Sequence, residues 1–236
     1  MIPKIIHYCW FGRGQMPQLA LDCMASWRRL MPDWTFMEWN EDNFDVNSLP
    51  YVKEAYEARK FAFVSDYVRL YALYNHGGLY MDVDFEVFKP FDDLLDHPAF
   101  AGYEGSKHSP VMVGVLASEQ HGSWVAKQMG LYAGRHFVQP DGSYDMTTNV
   151  AFLTGRMMEQ GLVCDGIEKD FDGLHVFPVD YFCPRQTTGE YFRTENTYCD
   201  HKGLDSWSNP KKPLILRIAG PKLSIKLIKL KRRIFG

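Results

Sequence analysis

RKFAFVSDYVRLYALYNHGGLYMDVDFEVFKP, residues 59–90, is the stretch whose reading decides the fold. In its first half Phe61, Val64, Val68 and Tyr71 recur at steps of three and four, the spacing of one apolar stripe on a helix. Asp66 and Arg69, three residues apart, share a side of that helix with Ala62 and Leu73. Gly77 and Gly78 then supply the backbone freedom that ends a helix. Beyond them Leu79, Met81, Val83 and Phe85 alternate with Tyr80, Asp82 and Asp84, a strand pattern. Carried through at period two, that pattern sets Asp82 and Asp84 on one face of the strand, roughly 7 Å apart along the backbone.

Two carboxylates beside a buried helix are costly unless something positive lies between them. A divalent cation, Mn2+ or Mg2+, meets that need, because such ions take oxygen ligands: one or two carboxylates plus substrate phosphates. Asp66 and Arg69 suit a ribose hydroxyl and a phosphate, or a structural carboxylate. Taken alone, Asp82-Val83-Asp84 reads as readily as a polar strand end on a solvated face. The helix and glycine stop before it favour the metal.

Working outward, Lys4 to Phe11 reads as a buried strand, Pro17 to Leu30 as an amphipathic helix and Trp34 to Trp39 as a second strand. Strand, helix, strand at this spacing opens a βαβ unit and predicts a mainly parallel sheet. Phe44 to Glu57 reads as loop and short helix. Phe100 to Tyr103 and Val111 to Ala117 read as strands, the second a continuous apolar run expected at the sheet centre. His121 to Ala133 and Thr148 to Gln160 are predicted helices, the latter capped by Thr147 or Thr148. Leu174 to Pro178 is a predicted strand, and the chain from there to Pro213 reads as irregular.

The chain has 236 residues, 46% hydrophobic and 15% aromatic, enough for one large domain. Its net charge of -3 gives no reason to expect a nucleic-acid partner. Five scattered cysteines without a CxxC suggest neither a disulfide framework nor a zinc ribbon, and fit reduced thiols in a cytosol. His7 interrupts the short N-terminal apolar run, so no signal peptide is expected. No stretch approaches the roughly 20 apolar residues that span a bilayer.

SDYVRLYALYNHGGLYMDVDFEVFKP, residues 65–90, resembles the central block of the DXD-containing sugar transferases of glycosyltransferase family 32. That family includes bacterial capsule enzymes and yeast mannosyltransferase relatives, with the clostridial glucosylating toxins as more distant kin. IPKIIHYCWFG at 2–12 and SWRRLMPDWTFMEWNED at 26–42 resemble its earlier blocks, in the same order. The resemblance implies an α/β fold, a GT-A-type Rossmann-like nucleotide-sugar-binding domain over residues 1–210. It implies a metal-dependent hexosyltransferase, retaining in outcome, that moves a sugar from a nucleotide-diphospho-sugar to a saccharide or lipid-linked acceptor. By the same analogy a UDP-sugar is favoured as donor over a GDP-sugar.

The site residues follow from that resemblance. Asp84, with Asp82 and His201, is expected at the metal. Asp66, Arg69 and Asp82 are expected along the ribose and phosphates. Trp10, at the end of the first strand, is expected to stack on the base; a flat indole suits that task, though a core tryptophan reads as well. Asn149, in TTNVAFL, is expected near the sugar as a catalytic amide beside Asp82 and Asp84, against the plainer reading of a first-turn residue; Asp145 is a weaker candidate. ENTYCDHKGLDSW at 195–207 resembles the family's late block and would set His201 by the diphosphate and Trp207 on the nucleotide. The residues between His201 and Trp207 depart from the usual aromatic-rich pattern, which leaves the register of that loop open.

Residues 211–236 carry nine basic residues and no acid, with Leu223, Leu227 and Leu230 interleaved. This basic amphipathic segment reads as an anchor on an anionic membrane surface, and so predicts a cytoplasmic protein peripheral at the inner face of the membrane. A solvated helix packed on the domain is the alternative. Two other functions compete. An aspartate-nucleophile phosphatase also carries Asp-x-Asp at a strand end, but Glu86 stands where it wants Thr or Val. A non-catalytic nucleotide-sugar binder would not need both aspartates.

Overall fold

The computed structural model describes residues 1–105, 109–184 and 191–203. In chain order the elements are β1 (Ile5–Cys9), α1 (Gln18–Leu30), β2 (Thr35–Trp39), α2 (Pro50–Glu57), α3 (Phe61–His76), β3 (Gly78–Met81), β4 (Phe85–Val87), β5 (Ala99–Tyr103), β6 (Val111–Ser118), α4 (Ser123–Gly130), α5 (Asn149–Glu159), β7 (Lys169–Phe171), β8 (Leu174–Phe177), α6 (Val179–Phe182) and β9 (Cys199–His201). Seven strands form one sheet in the order β2-β1-β3-β6-β5-β8-β7, while β4 and β9 form a separate pair.

The βαβ start behaves as its spacing predicts: β1 pairs in parallel with β2 and with β3. The far side is mixed. β6 runs antiparallel to both β3 and β5, β5 and β8 are parallel, and β7 turns back antiparallel on β8. VMVGVLA lies at the centre, as a run with no polar alternation must, and every residue of β6 is buried.

Alternation sorts the strands between two cores. Ile6, Tyr8, Leu79 and Met81 face one layer with Trp27 of α1, Phe85 and Phe100. Cys9 and Tyr80 face the other, with Val64, Tyr67, Val68 and Leu73 of α3. The stripe predicted for α3 is wider in the fold: Phe63, Asp66, Arg69 and Leu70 are buried as well, and Phe61 and Tyr71 only half so. The helix stops at Gly77, which donates its N–H to Leu73 O at 2.8 Å and whose φ of 64° is costly for any side-chain-bearing residue.

One expectation is corrected here. The strand pattern of 79–85 does not run through: β3 ends at Met81, and Asp82–Asp84 form a turn closed by the Phe85 N–H on the Asp82 carbonyl at 3.2 Å. Asp82 keeps one last rung, its N–H to Gly114 O at 2.8 Å. Val83 and Phe85 stay buried, so apolar alternation persists while the backbone turns. The reading of residues 179–203 as irregular also missed β9, which pairs Phe85 with His201 and Val87 with Cys199. Of residues 211–236 and Trp207 nothing is described.

Candidate functional site

Ligands of α/β sheets gather beyond the carboxyl ends of parallel strands, and β3 delivers the Asp82 turn to such an end beside the tip of β1. Asp82 is the open member of the pair, its side chain 34% exposed. Tyr80 donates its hydroxyl to Asp82 Oδ1 at 2.7 Å. Arg69 Nη2 lies 3.0 Å from Asp66 Oδ1 and 3.6 Å from Asp82 Oδ1, so one guanidinium serves both carboxylates. Its other donors are taken by the carbonyls of Val113 (2.7 Å) and Ser65 (3.2 Å), and its plane covers the Tyr80 ring. On the far side of Asp82 stands Gly114 of β6. A Cβ there would fall 2.9 Å from Asp82 Oδ2 and 2.9 Å from the Phe85 ring, too close for either to stay.

Asp84 is held by the β4–β9 ribbon. Its Oδ2 meets His201 Nε2 at 3.1 Å, and its carbonyl accepts the Lys202 N–H at 2.9 Å. The His201 ring stacks on Phe85 at 4.6 Å and 9°. Trp27 of α1 donates its indole N–H to Phe85 O at 2.7 Å, so the first helix anchors the same turn.

The electrostatics of this tip are one-sided. Among the described residues, the carboxyl groups of Asp66, Asp82, Asp84 and Glu104 lie in the fields of Arg69 and His201, and Asp66 also feels Arg135. Burial pushes the Asp66 carboxyl up to about 7, with Arg69 pulling back and Asp82 adding to the rise. Burial likewise raises Asp82 and Glu104. His201 moves the other way. Burial lowers its pKa, but the bond to Asp84 and the fields of Asp84, Asp82 and Glu104 outweigh that and lift it to about 9. An excess of carboxyl groups held from water is the donor chemistry a hard divalent cation fits, and Asp82 and Asp84 would hold it. Among the described residues no three or more His, Cys, Asp or Glu side chains form a ready cage, so further ligands would have to come with the substrate.

The other predicted site residues fall as follows. Asp66 and Arg69 reach the tip but are nearly closed to solvent, with side chains 11% and 7% exposed, and act first as a pair that positions Asp82. Trp10 follows β1, half-buried, its indole N–H on Gly14 O at 2.6 Å. Trp207 lies outside the described residues. Asn149 departs from expectation. Buried in the fold, its amide accepts from Tyr132 OH at 3.0 Å and donates to Asp66 O at 3.3 Å, so it ties α5 to α3. Thr148 is the helix cap, accepting from Ala151 N. Tyr80, Gly114 and Glu104 were missed. Gly114 carried a signal, since a lone glycine in an apolar strand marks a close approach. Glu104 follows β5 and meets the tip only through the fold.

Residues 17–101 match the model of a family described as "Glycosyltransferase sugar-binding region containing DXD motif". The likeness to this DXD glycosyltransferase family is confined to that part of the chain. The match covers α1 to β5 and includes the Asp82 turn with its Arg69 buttress; His201 and the segment before α5 lie beyond it. The chain is 30% identical over 103 residues to inositol phosphoceramide mannosyltransferase 3 of Schizosaccharomyces pombe, covering 42% of this chain and 29% of that protein. It is 28% identical over 104 residues to mannosyl phosphorylinositol ceramide synthase CSH1 of Saccharomyces cerevisiae, covering 42% and 27%. The chain thus spans under a third of the length of these two curated relatives. Among solved structures, the galactosyltransferase LgtC in complex with donor and acceptor sugar analogues aligns over 98% of this chain and 96% of its own, with a TM-score of 0.50 at 14% identity. That likeness shows the GT-A fold and nothing beyond it.

Proposed function

We propose that the chain transfers a hexose from a nucleotide-diphospho-sugar to a hydroxyl of a saccharide or lipid-linked saccharide. The observation that carries this reading is the turn at the tip of β3. It presents an open carboxyl, Asp82, fixed by Tyr80 and Arg69, next to a covered one, Asp84, fixed by His201. Asp82 and Asp84 would hold Mn2+ or Mg2+, which would supply positive charge against the departing diphosphate. Arg69 keeps Asp82 oriented, and the protonated His201 adds positive charge on the diphosphate side. Trp10 offers the base an aromatic face. In the transfer, the acceptor oxygen bonds to the anomeric carbon, the bond from that carbon to the diphosphate oxygen breaks, and the hydroxyl proton leaves with the diphosphate, with retention of configuration.

UDP-sugars and GDP-sugars are both candidate donors; the mannosyltransferase relatives keep mannose among the sugars. A lipid-linked acceptor accords with relatives named for phosphoceramide substrates, and with a basic segment 211–236 resting on the inner face of a membrane. Work on a capsule, exopolysaccharide or lipopolysaccharide is the setting this reading favours. The test is a thermal-shift screen of UDP- and GDP-sugars with and without Mn2+, followed by donor hydrolysis. One sugar nucleotide should raise the melting temperature only with metal and slowly release nucleoside diphosphate. Asp84→Asn should abolish that release with the fold intact. Release of phosphate from simple monoesters instead would favour the phosphatase reading.

A further inference from the structure

Away from the β3 tip, the segment between α4 and α5 frames an open cleft of about 550 Å³, lined by Arg135, His136, Gln139, Pro140 and Asp145 among others. That size is within the range of small-molecule sites. The segment is built, not loose. Glu54 of α2 accepts the N–H groups of Phe137 (2.7 Å) and Val138 (2.9 Å) and meets His136 Nδ1 at 2.6 Å. Val138 bridges to Tyr144, and Asp145 N–H returns to Phe137 O at 2.7 Å. Arg135 is clamped over the Phe152 ring at 3.8 Å and the Tyr51 ring at 4.5 Å, and donates through both Nε and Nη2 to Asp145 Oδ2.

The cleft is wired to the donor end. Arg135 lies over Tyr132, whose hydroxyl bonds Asn149, whose amide bonds the Asp66 carbonyl. Between the two ends sits Tyr51, fully buried and within the fields of Asp66 and Arg69 on one side and Arg135 and Asp145 on the other. Its hydroxyl is a buried polar atom with no hydrogen-bond partner among the described residues. Such a group is costly unless a water or a ligand hydroxyl meets it.

Charge decides the class of ligand. Arg135 is matched by Asp145 and His136 by Glu54, so among the described residues lining the cleft no cation is left over for a phosphate. What remains is a set of planar donors and acceptors, the guanidinium, the carboxylate and the Gln139 amide; Tyr144, next to Asp145 in sequence, is 46% exposed and stacks on Phe137 at the margin of the cleft. Planar polar groups next to an exposed aromatic ring suit alternating hydroxyls and an apolar sugar face. From the transferase reading above, on which this rests, we infer that the Arg135–Asp145 cleft is the acceptor subsite and takes a neutral sugar residue, not a phosphorylated one.

The test is ligand-observed saturation-transfer NMR on the full chain with methyl α-mannoside, methyl α-glucoside and methyl β-galactoside, against mannose 6-phosphate and inositol phosphate. At least one neutral glycoside should give transfer. The signal should weaken at least about tenfold in Gln139→Trp, which fills the cleft from a half-buried position, and in Asp145→Asn, which keeps the shape and unbalances Arg135; tenfold is about 1.4 kcal/mol. Three results overturn the inference: no glycoside signal, binding of the phosphorylated sugars alone, or neutral binding unchanged in both variants. The Mn2+-dependent nucleotide-sugar shift, measured on the same samples, reports the transferase reading separately. A shift without glycoside binding sinks the acceptor subsite alone. Glycoside binding in the cleft without a shift sinks the transferase reading and leaves a sugar-binding cleft.

Discussion

Arg69 balances two carboxylates with one charge, and that shortage shapes the site. Asp66 already sits near 7 with Arg69 in place. Replacing Arg69 with Met strands both partners, a loss of about 3–5 kcal/mol for breaking a buried pair. Asp66 can escape by taking a proton. A carboxyl whose folded pKa lies above its unfolded value binds more protons folded than unfolded, so stability falls as pH rises toward the folded pKa. The Arg69→Met penalty should therefore be smaller at pH 5 than at pH 8 in urea unfolding; an equal penalty would mean that Asp66 is not the group that suffers. Gly114 is the other single-residue control. Gly114→Ala pushes a methyl against Asp82 Oδ2 and Phe85. Overpacking of this kind costs about 1–3 kcal/mol. The variant should stay folded at 25 °C and lose most of the Mn2+-dependent donor shift, because the displaced oxygen belongs to the open carboxyl. An unchanged shift would separate Asp82 from the metal.

At the scale of elements, His7 joins β1, β2 and the end of α3. Its Nε2 bonds Gly77 O at 2.8 Å and its Nδ1 accepts the Trp39 indole N–H at 3.1 Å, which fixes a neutral ring. Burial drives its pKa down to about 4. The unfolded chain, near 6.5, then binds a proton the folded chain refuses, so stability is full above pH 6.5 and falls as pH drops toward 4. At pH 5 the expected loss is about 2 kcal/mol. His7→Gln should be less stable at pH 7 but lose much less between pH 7 and pH 5; an equal acid loss in the variant would assign it elsewhere. The elements that position this site were legible where periodicity ran long enough. β1, α1, β2, α3 and β6 each carry a stretch of apolar spacing, and the glycine pair marks the helix end. The turn at Asp82–Asp84 was not legible, because Val83 and Phe85 keep alternating inward after the backbone has left the sheet. β7 and β9 are three residues each and hold polar side chains, so no local pattern announces them. The packing of Asn149 was not legible for a different reason: its partners, Tyr132 and the Asp66 carbonyl, are 17 and 83 residues away.

Across the whole molecule, charge is divided more sharply than the net value of -3 suggests. Residues 211–236 hold nine of the 26 basic residues, while all 29 acidic residues precede them. The body is therefore strongly acidic and is repelled by an anionic bilayer; attraction must come from the terminal segment. Each basic residue near such a surface contributes about 1 kcal/mol, an effect confined to roughly one Debye length. The full chain should cosediment with vesicles containing a third phosphatidylserine at 50 mM salt, and not with neutral phosphatidylcholine vesicles. Raising the salt to 500 mM should release it, because salt screens the terminal charges. Exchanging Lys226, Lys229, Arg232 and Arg233 for Glu should abolish the cosedimentation, yet leave the Mn2+-dependent donor shift in place, since the described residues of the donor tip include none of the four. Vesicle binding that survives both the salt and the charge reversal would point to apolar insertion, and would remove electrostatic docking from the proposed route to a lipid-linked acceptor.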